Sequence, residues 1–358
     1  MRVFINGFGR IGRSVLRAWA QDPSRWPGLQ IAGINDIAAA EMCAYLFEFD
    51  SVFGPWRGSV ALQGGGLVVD GRAIPLHRTP DISTPQELWS GTKSLVGLMA
   101  AAAVQDGLLV LDEKASDTLA EWRSDPGKST ITLRQLLSMT SGQPSAIGRP
   151  QGYADSLKVP LSAAPGTRFQ YGPTPLQIFG EVMRRKLKAT GQNPDPQEYL
   201  DRRLLVPLGV RTGEWRKGAD GKPLMPQGLV LAASEWAKIG EFVRAGGKQD
   251  GKPLVDPVAF ADLFEGSSVN PAYGLTWWLP RPSLSNDPVT RATDITEHST
   301  ELPADMVVAA GAGDQRLYVI PSRRLTIVRQ AKLDIMALAA GKKSGWSDTR
   351  FLELLLAD

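Results

Sequence analysis

The chain has 358 residues, 43% of them apolar and 22% charged, which places it among soluble globular proteins with room for two domains. A net charge of +3, with mixed signs along the chain, excludes the electrostatic footprint of a nucleic-acid or anionic-membrane binder. A single cysteine, Cys43, excludes an internal disulfide, and with only His77 and His298 a histidine-built zinc site has almost no material.

The chain opens on RVFINGFGRIGRSVLRAWAQD, which reads as a strand, a glycine turn and a helix. Residues 2–6 make the strand, Gly7, Gly9 and Gly12 give G-x-G-x-x-G, and Ile11, Val15, Leu16 and Trp19 recur at helical spacing. A second strand, in LQIAGIND, ends at Asp36. Such glycines let the backbone approach a pyrophosphate at a helix N-terminus, and an acid at the second strand end can bond a ribose hydroxyl. Gly7, Gly9, Arg10, Ile11, Gly12 and Asp36 are therefore the candidate cofactor-binding residues, and NAD the candidate cofactor. The competing reading is a βαβ unit that binds nothing. Cys43 lies in AEMCAYLF, an apolar helical context that reads as a buried thiol. The leading apolar run is broken by glycines and has the wrong length for a secretory signal, and the longest apolar run, Leu95 to Val104, is about half a membrane span. A cytoplasmic location without a membrane partner is expected.

From Thr84 the pattern changes. ELWSGTKS opens a helix running to about Gln105 and stopped by Gly107; LLVLDEKASDTLAEW reads as a loop and a short helix. STITLRQLLSMTSGQ reads as a helix with a capping box at Thr132 and Gln135 and a stop at Gly142. SAAPGTRFQYGPTPLQIFGEVMRRKL gives a turn, an extended piece and an amphipathic helix. YGLTWWLP and DMVVAAGAGDQRLYVIPSRRLTIVRQ read as antiparallel strands, and WSDTRFLELLLAD as a closing helix. Helices in the middle and strands at the end predict an α+β domain over residues 84–358, preceded by a partial Rossmann-like βαβ segment over residues 1–83.

Ser90 and Lys93 are three apart, so on a helix they share a face. A serine hydroxyl is a poor nucleophile until a base takes its proton, and a lysine serves as that base if burial lowers its pKa. The helix after Lys93 is apolar enough to bury it, and a helix N-terminus favours an oxyanion. The other reading is an N-cap serine beside a solvated lysine.

Two family resemblances follow. INGFGRIGR, IND, FEFDSVFG and LVVDGRAIPLHRTPD, over residues 1–81, resemble the NAD-binding opening of glyceraldehyde-3-phosphate dehydrogenase. The catalytic cysteine and histidine of that family do not follow, so the resemblance implies cofactor binding without dehydrogenase chemistry. LWSGTKS, AAAVQDGLLVLDE, ITLRQLLSMTSG, APGTRFQYGPTPLQIFGEVM, YGLTWWL and GAGDQRLYVIPSRRLTIVR resemble the serine β-lactamase, penicillin-binding protein and esterase superfamily. The class C-like branch with 6-aminohexanoate-dimer hydrolase is the nearest in pattern. That resemblance implies an antiparallel sheet with a helical subdomain and a cofactor-free hydrolase of small amides or esters. It assigns Ser90 as nucleophile and Lys93 as its proton partner. Tyr171, with its pKa lowered by polarising neighbours, would relay a proton to the leaving group, and the N–H groups of Ser90 and Ala312 would form the oxyanion hole. Taken alone, Tyr171 reads as a core tyrosine and GAG as a plain turn.

Three departures stand out. Pro173 occupies the place of the family's Tyr-x-Asn asparagine, which puts efficient β-lactam turnover in doubt. No lysine or histidine precedes GAG, and Asp314 replaces a glycine before Gln315. The strands that normally precede the nucleophile are also replaced by the dehydrogenase-like segment. Either the hairpin-like SVALQGGGLVVDGRAIPLHRTP supplies their edge pairing, or the sheet keeps an open edge; an incomplete sheet with a misaligned site would make the chain an inactive fused scaffold. Trp89, Trp277 and Trp278 read either as core or as the wall of an apolar pocket.

Overall fold

The structure, a computed structural model, describes residues 2–78, 82–146, 148–291, 293–331 and 345–356. The chain folds as two compact units, Met1–Thr84 and Pro85–Asp358.

In the first unit, β1 (Arg2–Asn6), α1 (Arg10–Gln21), β2 (Gln30–Asn35) and α2 (Ala40–Glu48) follow the expected order. A two-residue ribbon, β3 (Phe49–Asp50) with β4 (Gly54–Pro55), leads to β5 (Val60–Gln63), β6 (Gly66–Val69) and β7 (Arg72–His77). The sheet order is β1-β2-β7-β6-β5, with β1, β2 and β7 parallel and β5, β6 and β7 antiparallel. The SVALQGGGLVVDGRAIPLH hairpin thus extends the sheet of this unit through the β2–β7 pairing. Among the described residues, the hairpin's strand pairings all lie within this sheet. The core gathers Leu16, Ile34, Phe47, Leu67 and Ile74, and Cys43 is buried with them, where desolvation pushes its thiol pKa up.

The apolar stripe expected on α1 is only half used. Leu16 is fully buried, whereas Ile11 is 81% and Val15 45% exposed. Helical periodicity registers both faces of a wide stripe, but only the Leu16 side meets the sheet.

The second unit begins with β8 (Gln86–Glu87) and a 3-10 turn, Trp89–Gly91, that runs directly into α3 (Thr92–Gln105). Every residue of α3 from Thr92 to Ala103 is buried, which the alanine-rich, small-residue sequence permits, so α3 is the central helix of this unit. Around it lie α4 (Ala115–Thr118), α5 (Leu133–Leu137), α6 (Tyr153–Ser156), α7 (Thr174–Ala189) and α8 (Pro196–Leu200). The capping box of α5 is present, with Thr132 and Gln135 bonding each other's backbone. The helix is shorter than the pattern predicts, because Met139 takes φ +60° and ends it well before Gly142.

After β9 (Glu214–Trp215) and β10 (Leu229–Leu231), the strand β10 pairs with both β8 and β9. Then α9 (Ala233–Arg244), the small ribbon β11 (Lys248–Gln249) and β12 (Lys252–Pro253), and α10 (Pro257–Asp262) lead to the C-terminal sheet. YGLTWWLP does not form the expected strand. Thr276 at φ +74° folds the segment back on itself, leaving isolated bridges from Trp278 to Tyr273 and to Val308. Strands β13 (Val307–Gly311), β14 (Gln315–Ile320) and β15 (Leu325–Arg329) form an antiparallel sheet, and α11 (Asp348–Leu356) follows. All six residues of β14 are buried, and α9 packs so closely on β14 and β15 that Gly240 leaves no room for a methyl beside Leu317 and Thr326. Among the described residues, no strand pairs with the outer edge of β15. No described helix is long and apolar enough to cross a membrane. The molecule is α+β, with a partly parallel N-terminal sheet.

Candidate active site

Ser90 sits in the 3-10 turn that feeds α3, and Lys93 in the first turn of the helix proper. The N-cap position of α3 is Gly91, without any side-chain cap, so the Ser90 hydroxyl is not spent on capping. It accepts a hydrogen bond from Lys93 Nζ at 2.9 Å. Trp89, immediately before, is held at φ +48°, a left-handed conformation that costs a bulky residue free energy and persists only where the surroundings fix it.

Lys93 is almost wholly buried. Desolvation brings its pKa down to about 7, so near neutral pH half of the amines are free bases. Its second acceptor is the Pro226 carbonyl at 3.0 Å, and the ammonium nitrogen lies 4.7 Å from the centre of the Tyr171 ring. The Pro226 carbonyl gives Lys93 a polar partner. A backbone acceptor carries no side-chain signature, so sequence reading missed it.

Tyr171 does not have the lowered pKa expected of it. Burial pushes it up to about 12; its hydrogen bond with Ser90 and the charge of Arg316 pull it down, and the charge of Asp287 pushes it further up. It is therefore a protonated phenol at every physiological pH. Its backbone is pinned on both sides: Tyr171 N–H donates to Asp287 Oδ2 at 3.0 Å and its carbonyl accepts from Ala146 N–H at 3.1 Å. Around its ring stand Phe169, Tyr273 and Trp278, with centroids 6.3, 5.9 and 5.8 Å away. Trp277 and Trp278 are buried in this core, whereas Trp89 is half-buried beside Ser90.

The third piece is the end of β13. A Cβ on Gly311 would lie 2.0 Å from the Leu88 carbonyl oxygen and 3.0 Å from Gly91 N, so the strand touches the turn that carries Ser90 backbone to backbone. Ala312 follows in the three-residue connection to β14, in which Gly313 (φ +71°) and Asp314 (φ +56°) are both left-handed. Among the described residues, the Ala312 N–H has no hydrogen-bond acceptor.

In the first unit the glycines take the shapes their chemistry needs. Gly7 turns at φ +93°. A Cβ on Gly12 would lie 2.1 Å from the Gly7 carbonyl, and one on Gly9 would meet nothing within 4 Å. The N-terminus of α1 has Gly9 as N-cap and no side-chain cap, with Arg10 and Ile11 exposed in its first turn. Asp36 accepts Phe8 N–H at 2.5 Å and Ala38 N–H at 2.8 Å, closing the glycine loop. A carboxylate has about four lone-pair positions, so capacity for a ribose hydroxyl remains. The cradle fits a pyrophosphate. However, β1 is the edge of its sheet among the described residues, and a dinucleotide crevice needs a strand on either side of it.

Residues 1–91 match the family model of the glyceraldehyde 3-phosphate dehydrogenase NAD binding domain, and residues 58–225 match the β-lactamase model. The cytosolic glyceraldehyde-3-phosphate dehydrogenase of Trypanosoma brucei brucei is 49% identical over 74 residues, 21% of each chain. That of Bacteroides fragilis is 47% identical over 81 residues, 23% of this chain and 24% of the relative. The chain thus spans less than a quarter of the length of these dehydrogenases. A class C β-lactamase from Rhodobacter sphaeroides superposes with a TM-score of 0.57 at 16% identity, covering 83% of this chain and 94% of the other. A protein assigned as a 6-aminohexanoate-dimer hydrolase in Bacillus anthracis superposes at 0.53 and 17%, covering 79% and 76%. The larger unit has a β-lactamase-like fold. At these identities the likeness is one of fold, and the β-lactamase-like unit is preceded by a segment related to a nucleotide-binding domain.

Proposed function

We propose that the β-lactamase-like unit is a serine hydrolase that cleaves a small amide or ester through an acyl-enzyme on Ser90. The observation that carries this reading is the 2.9 Å contact between Ser90 Oγ and a lysine whose burial brings its pKa down to about 7, so that about half of it is free base at neutral pH. Lys93 Nζ takes the Ser90 proton as Oγ attacks the carbonyl carbon. The N–H groups of Ser90 and Ala312 receive the oxyanion. As the tetrahedral intermediate collapses, the leaving group takes the Tyr171 proton, and the Lys93 ammonium returns one to the phenolate. Water then attacks the acyl carbonyl, giving a proton to Lys93; as the second intermediate collapses, the Lys93 ammonium returns that proton to Ser90 Oγ and the acid departs. The sequence of β13, VVAAG, offers no charged anchor, so uncharged substrates fit better than carboxylated ones.

The test is intact-mass labelling with a fluorophosphonate and, in parallel, a penicillin. A single adduct at Ser90, lost in Ser90→Ala, is the expected result with the fluorophosphonate, and weak or no labelling with the penicillin. No adduct on a cooperatively folded protein overturns the reading.

Labelling should also follow Lys93. Below its pKa the amine is protonated and cannot accept the serine proton, so the rate falls about tenfold per pH unit below 7. Above 7 it reaches a plateau that lasts past pH 10, because Tyr171 keeps its proton to about 12. A bell with a descending limb below pH 10 would contradict this assignment.

The glycine cradle favours a second reading for the first unit, the binding of NAD through Gly7, Gly9, Arg10, Ile11, Gly12 and Asp36. Only half of a dinucleotide crevice is built, so ADP is expected to raise the melting temperature as much as NAD does at equal saturation. No shift with either ligand would leave this segment without a nucleotide.

A further inference from the structure

We infer that Arg316 is a positioning residue for the oxyanion site, holding the turn that carries Ala312 against the nucleophile. This rests on the hydrolase reading above. Arg316 is 2% exposed; its Nη2 lies 3.7 Å from Asp314 Oδ1 in the turn, and its donors reach two further groups. Nε and Nη2 bond the Asp348 carboxylate at 2.7 and 3.2 Å, while Nη1 bonds the Gly311 and Gln315 carbonyls, each at 3.1 Å. Asp348, the first residue of α11, is completed by Tyr318 Oη and by Trp346 Nε1 at 3.2 Å.

The carbonyls of the turn are held from several sides. Gly311 is taken by Arg316, Gly313 by Gln315 Nε2 at 3.3 Å, and Asp314 by Arg329 Nη1 at 2.7 Å. The Ala312 N–H meanwhile stays without an acceptor among the described residues. Gly311 touches the backbone of Leu88 and Gly91, so any slip of the β13 end changes the distance between that N–H and Ser90. A buried ion pair is a weak source of net stability, but it fixes geometry, because a displaced partner leaves a charge without compensation. The pair therefore ties the start of α11 to the last residue of β13, and the turn cannot drift without breaking it.

The test compares Arg316→Met and Asp348→Asn with the wild type by two readouts. Hydrogen exchange of the residue 311–315 turn reports its hold directly. The kinact and KI of fluorophosphonate labelling report its consequence. Exchange of the turn at least tenfold faster is expected in Arg316→Met, with kinact lower by about 10–100-fold and KI within about twofold. Asp348→Asn keeps the shape and the bonds from Tyr318 and Trp346, and shows the same pattern at about 3–10-fold. It carries the test if Arg316→Met does not fold. A folded variant with unchanged turn exchange, or one labelled at the wild-type kinact, overturns the inference while leaving Ser90 as nucleophile. If wild-type Ser90 takes no label, the hydrolase reading falls, and the exchange of the turn still decides whether Arg316 holds it.

Discussion

Lys93→Met is expected to lower the rate of Ser90 acylation by about 10²–10⁴-fold, the usual worth of a positioned general base, and at the same time to make the protein more stable. The two effects share a cause. Lys93 is buried without a carboxylate among its described partners, which are the Ser90 hydroxyl, the Pro226 carbonyl and the face of Tyr171. Its pKa is about 7 in the fold against 10.5 for the ordinary side chain. Between those values the unfolded chain holds a proton that the folded chain does not, so wild-type stability rises with pH from about 7 to 10.5. Below 7 both states are protonated and the full cost of burying the charge is present. Methionine fills similar volume with no charge to desolvate. It leaves the Pro226 carbonyl without its donor, at about 1 kcal/mol, which is smaller than the cost of the buried ammonium. A higher melting temperature at pH 7, and a loss of the wild-type rise in stability between pH 7 and 10.5, are the measurements. A destabilised variant would mean that Lys93 belongs to the packing of α3 more than to the chemistry.

What could be read from the sequence was local. The glycine turn, the short spacing from Ser90 to Lys93 and the apolar run that buries the lysine each lie within one or two turns of chain. Periodicity and turn chemistry give them directly. The capping box at Thr132 and the helices α3 and α7 were legible for the same reason. The rest depends on groups far apart in sequence or on backbone atoms. The Pro226 carbonyl lies 133 residues from Lys93, and Asp287 lies 116 from Tyr171. The Arg316–Asp348 pair spans 32 residues with no spacing rule. The expected lowering of the Tyr171 pKa fails because burial of the phenol outweighs the hydrogen bond with Ser90 and the charge of Arg316 that pull it down. The sheet that the hairpin of β5 and β6 joins stays open in the sequence, because alternation shows that a strand exists, while its partner is chosen by the β2–β7 pairing.

Gly311→Ala is expected to lower acylation by about 10²-fold, through a displacement and not through any lost side chain. The wild-type residue is not in the left-handed region, so its conformation suits alanine. What excludes the methyl is space, since it would sit 2.0 Å from the Leu88 carbonyl oxygen. Neither side of that contact gives easily. Leu88 N–H is bonded to the Leu229 carbonyl at 2.9 Å, Gly91 N–H to the Leu88 carbonyl at 2.9 Å, and β13 is paired to β14 along five residue pairs. The strand must move away by about 1 Å, and the Ala312 N–H moves with it. Overpacking of this kind costs about 1–3 kcal/mol of stability. Gly240→Ala is the control. It crowds the methyl against the side chains of Thr326 and Leu317 on the sheet, whose ends can shift, and it does not touch the nucleophile turn. Both variants should melt earlier, but only Gly311→Ala should label slowly while still folded. Equal labelling rates in the two would place the oxyanion donor elsewhere than at the end of β13.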